Sequence, residues 1–128
     1  MSAQQPTIAV VDDDPSLRTS LHRLLMVSGY KTELYGSAEQ LSDGIAVSGA
    51  TCLLIDCHIG DSSGLDLAQR LAVGGCSLPV IFMTASDDRS VRNRAMDLGC
   101  VAFLKKPFSA SQLLDALAKT ISAPILVG

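Results

Sequence analysis

IAVVDDDP, Ile8 to Pro15, sets two opposite kinds of sequence side by side with no spacer between them. Four apolar residues in a row, three of them β-branched, form a short strand covered on both faces, since a strand with one wet face would alternate. Asp12, Asp13, Asp14 and Pro15 then supply the chemistry of a helix start. Carboxylates accept the unpartnered N–H groups of a first turn, and proline fits the first helical position, where the N–H has no use. The stretch therefore places carboxylates at the carboxyl end of a buried strand.

Outward from it the chain alternates. Leu17, Leu21, Leu24 and Leu25 share a helical face, and Ser28-Gly29 closes a first helix predicted over Pro15 to Val27. Lys31 to Tyr35 reads as a strand, and Ser37 caps a second helix that Ser48-Gly49 stops. Thr51 to Ile55 is a third, wholly buried strand, followed at once by Asp56. Gly64 to Leu71 is predicted as a helix, Val80 to Met83 as a strand delivering Thr84, and Asp87 to Leu98 as a mostly polar helix. Val101 to Leu104 is the fifth strand, with Lys105, Lys106 and Pro107 at its exit, and Leu113, Leu114, Leu117 and Ile121 stripe the last helix.

Five strands and five helices in alternation predict an α/β fold: one doubly wound parallel sheet with helices on both faces, because right-handed crossovers must cover it. Ligands of such sheets bind beyond the carboxyl ends of the strands. Asp12 to Asp14, Asp56, Thr84 and Lys106 all map to that edge.

At 128 residues the chain has room for one core. The domain is expected over 7–122, with 1–6 as a disordered or extended N-terminus and 123–128 as a C-terminal tail or truncated linker. A net charge of -3 argues against a direct nucleic-acid grip. No apolar stretch is long enough to span a bilayer and residues 1–7 lack a secretory signal, so no membrane is expected and the location is read as cytoplasmic. Cys52, Cys57, Cys76 and Cys100 form no CxxC pair and suit a reducing compartment. A zinc site from Cys52, Cys57 and His58 matches no standard spacing.

Converging carboxylates repel by about 4 kcal/mol per pair at 4 Å and an effective dielectric near 20. A cation is the natural remedy. Oxygen donors select Mg2+, with Mn2+ as a substitute, and Mg2+ is commonly bound by one or two carboxylates together with phosphate oxygens. Asp56 beside such an ion is a candidate nucleophile toward a phosphoryl group, with Lys106, the Thr84 hydroxyl and the Ala85 amide as donors to its oxygens. Side-chain alternation makes Lys106, rather than Lys105, the lysine that points inward.

VVDDDPSLR, LLIDCHIGDSSGLDL, VIFMTAS and FLKKPF together resemble the signature blocks of response-regulator receiver domains of two-component signalling, over roughly Thr7 to Ile121. They look most like receivers attached to helix-turn-helix transcription factors. The resemblance implies a flavodoxin-like sheet of order 2-1-3-4-5 and phosphorylation of Asp56 by a sensor histidine kinase. It implies Mg2+ held by Asp12, Asp13, Asp56 and the backbone carbonyl of His58, with Thr84 and Phe103 as the switch pair and Lys106 as the family's lysine. It further implies a cis Lys106–Pro107 bond, phosphoryl lifetime tuned at His58 and Ser86, and dimerisation through helix 4, strand 5 and helix 5. The protein would catalyse only its own phosphorylation and dephosphorylation. Gly60 stands where the family often has proline, so a more mobile loop is expected there. Phe103 stands where tyrosine is frequent.

Two other readings compete. Asp12 and Asp14 form a DxD resembling the nucleophile motif of haloacid-dehalogenase-type phosphatases, although no acidic motif follows Lys106 except Asp115 inside the last predicted helix. Asp14, just before Pro15, also reads as a plain helix cap. A flavin module would want a Gly, Ser or Thr-rich phosphate loop where three aspartates stand.

Overall fold

The computed structural model describes residues 5–121, and its first strand, β1 (Thr7–Val11), stops where the aspartates begin. The predicted tail of 123–128 and the N-terminus up to residue 4 lie outside the described residues. Then follow α1 (Pro15–Val27), β2 (Lys31–Tyr35), α2 (Ala38–Gly44), β3 (Cys52–Asp56), α3 (Gly64–Val73), β4 (Val80–Thr84), α4 (Arg89–Asp97), β5 (Ala102–Lys105) and α5 (Ala110–Ile121). The five strands form one parallel sheet in the order β2-β1-β3-β4-β5.

Strand alternation divides the core. Ala9, Val11, Leu53, Ile55 and Phe82 face one layer with Leu41 of α2, Leu67 of α3 and Ala95 of α4. Ile8, Val10, Cys52, Leu54, Ile81 and Met83 face the other with Leu21 and Leu25 of α1 and Leu113 and Leu117 of α5. β3 is buried at every position because both neighbours and both layers cover it. Each such leucine contributes about 1.5–3 kcal/mol by leaving water. α4 is the exception, with Ala95 its one fully buried residue.

Three local differences from expectation have physical causes. β3, β4 and β5 each run one residue further, so that Asp56 pairs with Met83 and Thr84 with Lys105. Polar residues buried there still need main-chain partners, and the ladder supplies them. The second helix gives way at Gly44, against which the Tyr35 ring packs, to a 3-10 turn over Ile45–Val47. The loop at Gly60 carries hydrogen bonds of its own. His58–Ile59 pairs antiparallel with Ser62–Ser63, and Gly60, at φ +59°, donates its N–H to Asp13 Oδ2 at 3.0 Å.

Candidate functional site

Among the described residues three polar side chains belong to fully buried residues: Asp12, Asp56 and Thr84, at 1%, 6% and 0% exposure. They sit at the carboxyl ends of β1, β3 and β4, three neighbouring strands. Burying a charge is expensive unless it is paired, so their clustering needs a compensating cation. Lys106, just beyond β5, supplies one. Its Nζ donates to Asp12 Oδ2 at 2.7 Å and to Asp56 Oδ2 at 2.5 Å. Lys105 points the other way, to Asp87 at 3.0 Å on the surface.

The remaining carboxylate oxygens take main-chain donors. Asp14 N–H reaches Asp12 Oδ1 at 2.9 Å and His58 N–H reaches Asp56 Oδ1 at 2.8 Å. Burial pushes the Asp12 carboxyl above the ordinary carboxylate range, while Lys106 and the Asp14 N–H pull it back and Asp56 pushes it up again. Burial also pulls the Lys106 ammonium down, but its bonds to the two carboxylates outweigh that and leave it above its ordinary value. The lysine stays charged between two acids. Thr84 Oγ1 accepts the Ser86 N–H at 3.0 Å, and the Thr84 carbonyl accepts the Lys106 N–H at 2.7 Å. The Lys106–Pro107 bond is cis.

Not every predicted residue converges. Among the described residues no three His, Cys, Asp or Glu side chains are grouped to hold a metal ion. Asp13 is exposed and engaged with Gly60, so the side chains of Asp12, Asp13 and Asp56 do not form one cluster. Cys52 and Cys57 pack into opposite layers, which removes the zinc alternative. Asp14 caps α1, accepting Ser16 N–H at 2.9 Å. His58 is exposed, and Ser86 Oγ accepts the Asp88 N–H at 3.0 Å. Phe103 is half-buried against the layer of Leu53 and Phe82, with the Arg92 guanidinium 5.9 Å from its ring centroid.

The donor set still suits a small hard cation. Two buried carboxylates against one ammonium leave a net negative charge, and magnesium usually takes only one or two carboxylates plus water and phosphate oxygens. Three supporting residues escape sequence reasoning. Arg18 Nη1 donates to the Asp12 main-chain carbonyl at 2.7 Å, Gly64 lies against the Asp56 carbonyl, and Arg94 bonds Asp66 and Gln69 across α3. Only glycine at a helix start hinted at any of them.

A sequence profile of the response regulator receiver domain matches residues 8–118. The chain belongs to this receiver-domain family. Nodulation protein W of Bradyrhizobium diazoefficiens is 37% identical to the receiver over 110 residues, 86% of this chain and 48% of that protein. Response regulator MprA of Mycobacterium avium is 36% identical over 107 residues, 84% of this chain and 47% of that protein. The receiver thus spans about half the length of the curated relatives it matches. The non-phosphorylated HemR receiver domain of Leptospira biflexa superposes with a TM-score of 0.85 at 27% identity, covering 97% of this chain and 100% of that one. A response regulator receiver protein of Burkholderia phymatum gives 0.82 at 31%, covering 96% and 100%. Receiver domains act in two-component signalling, where sensor kinases phosphorylate them and magnesium generally serves the phosphorylation site. The dehalogenase-type alternative is not supported, and Asp14, the second residue of its DxD, is a helix cap here. No described helix is long and apolar enough to cross a membrane.

Proposed function

We propose that Asp56 is the phosphoacceptor of this receiver and that a sensor histidine kinase is the donor. The observation that carries this reading is the Lys106 ammonium bonded to both Asp56 and Asp12 at the buried edge of the sheet. A carboxylate oxygen is a nucleophile that needs no general base, and Lys106 stands beside this one. An Asp56 oxygen attacks phosphorus in line, the bond from phosphorus to the donor nitrogen breaks, and the electron pair leaves with the imidazole. Lys106 is then placed to follow the charge onto a phosphoryl oxygen, and the Thr84 hydroxyl, which accepts the Ser86 N–H, has its own proton to donate to another.

Asp12, Asp56 and the carbonyl of His58 would hold Mg2+, with Asp13 joining from the rim once it releases Gly60. When bound, the ion neutralises charge on the transferring group. His58 and Ser86 flank the site at the surface and are assigned to control of water access, hence lifetime. Phosphorylation would shift Thr84 and Phe103 together and alter the surface of α4, β5 and α5, through which we propose homodimerisation or contact with an output module.

Incubation with a small phosphodonor and Mg2+ tests this. One phosphoryl mass should appear on the wild type and be absent from Asp56→Asn; label retained in Asp56→Asn would overturn the assignment. Sizing with and without a beryllofluoride mimic tests the dimer, and an unchanged mass would count against it.

A further inference from the structure

Arg18, on the second turn of α1, has no part in the scheme above. Its Nη1 donates to the main-chain carbonyl of Asp12 at 2.7 Å. Among the described residues it pairs with no carboxylate, although an acidic site lies next to it. The Asp12 N–H is bound to the Tyr35 carbonyl at 3.1 Å, so Arg18 completes the main-chain bonding of the residue that carries the buried carboxylate.

Gly36, directly after β2, shows what space the guanidinium needs. A Cβ at Gly36 would lie 3.0 Å from Arg18 Nη1 and 3.4 Å from Cζ. Gly36 does not have a positive φ, so its backbone does not demand glycine. The guanidinium thus sits between the end of β1 and the turn after β2, gripping one and filling the other.

We infer that Arg18 is a positioning residue for the cation site: it fixes the Asp12 main chain, and the absence of a Cβ at Gly36 leaves its guanidinium undisplaced there. The inference rests on the proposed role of Asp12 as a Mg2+ ligand. Outer partners of ligand residues commonly carry tenfold or more of metal affinity, because a ligand free to swing must be ordered again on binding.

The test is the Mg2+ dissociation constant, from calorimetry or chemical-shift titration of the whole chain, measured beside the urea unfolding midpoint. Arg18→Met should weaken Mg2+ on the order of tenfold, and Arg18→Lys should recover part of that. Gly36→Ala keeps the charge and displaces only the guanidinium, so it should weaken Mg2+ by about threefold with little change in stability, since the far end of a flexible side chain yields easily. Arg18→Met with Gly36→Ala together should be no worse than Arg18→Met alone, as expected for two changes acting through one contact. Binding within twofold of wild type in Arg18→Met, or fully additive effects, would overturn the inference. A wild type that binds no Mg2+ at millimolar concentration would overturn the site assignment itself, and this inference with it.

Discussion

Gly64 lies directly against the main chain of Asp56: a Cβ at Gly64 would sit 1.9 Å from the Asp56 carbonyl oxygen and 2.9 Å from its carbonyl carbon. The start of α3 and the end of β3 are therefore one packed unit, closed by the Gly64 N–H to the Cys57 carbonyl at 2.8 Å. No rotamer relieves a clash of backbone against backbone. Gly64→Ala should destabilise the fold by about 2–4 kcal/mol in urea unfolding and slow phosphorylation of Asp56. Gly74→Ala, where a Cβ meets nothing closer than 3.4 Å, is the control.

Lys106 stands between two buried acids, and its loss leaves them facing each other. Lys106→Met should cost about 1–3 kcal/mol at neutral pH, the range for a polar network stripped of one partner. Adding Asp12→Asn should return part of that loss, because one of the two negative charges is gone. A double variant as unstable as the sum of the singles would show that the three groups do not act as one network.

α4 buries little core and carries two arginine contacts nearer the surface. Arg94 reaches Asp66 at 2.5 Å, with the side chains 40% and 60% exposed, and Gln69 at 2.9 Å. So exposed a pair is screened by solvent and salt, and Arg94→Ala should cost about 0.5 kcal/mol or less, shrinking further at about 1 M salt. Arg92→Ala should instead be read in the Phe103 ring, whose aromatic proton shifts report the loss of the covering guanidinium.

Burial pushes the Cys52 thiol up to about 12 from its ordinary 9.0. The folded chain therefore keeps this proton at pH values where the unfolded chain has lost it. Stability is undiminished below about pH 9 and falls as pH rises toward the folded value, by about 1.4 kcal/mol per unit. Between about pH 8 and pH 10 the wild type should lose roughly 1 kcal/mol more than Cys52→Ala loses over the same interval. Parallel losses in the two proteins, measured by urea unfolding, would contradict this.

The fold was legible because its signals are local and repeated. Apolar runs such as Ile8 to Val11 and Leu53 to Ile55 name buried strands, and the residues just after them name the edge where polar chemistry gathers. The same logic separated Lys106 from Lys105, since adjacent side chains of a strand face opposite ways. Caps were legible too: Asp14 and Ser37 each accept an N–H of the helix that follows.

Sequence alone thus determined the alternation, the presence of helices on both faces and the set of residues at the carboxyl edge of the sheet, because periodicity and burial are properties of short stretches. Only the tertiary structure decided how those residues bond. It gave Lys106 to both acids, set Asp13 apart on Gly60, and brought Arg18 to the carbonyl of Asp12 and Gly64 to that of Asp56. Contacts to main-chain carbonyls leave little mark in a sequence, since every residue carries the same acceptor and only the fold selects which one is reached.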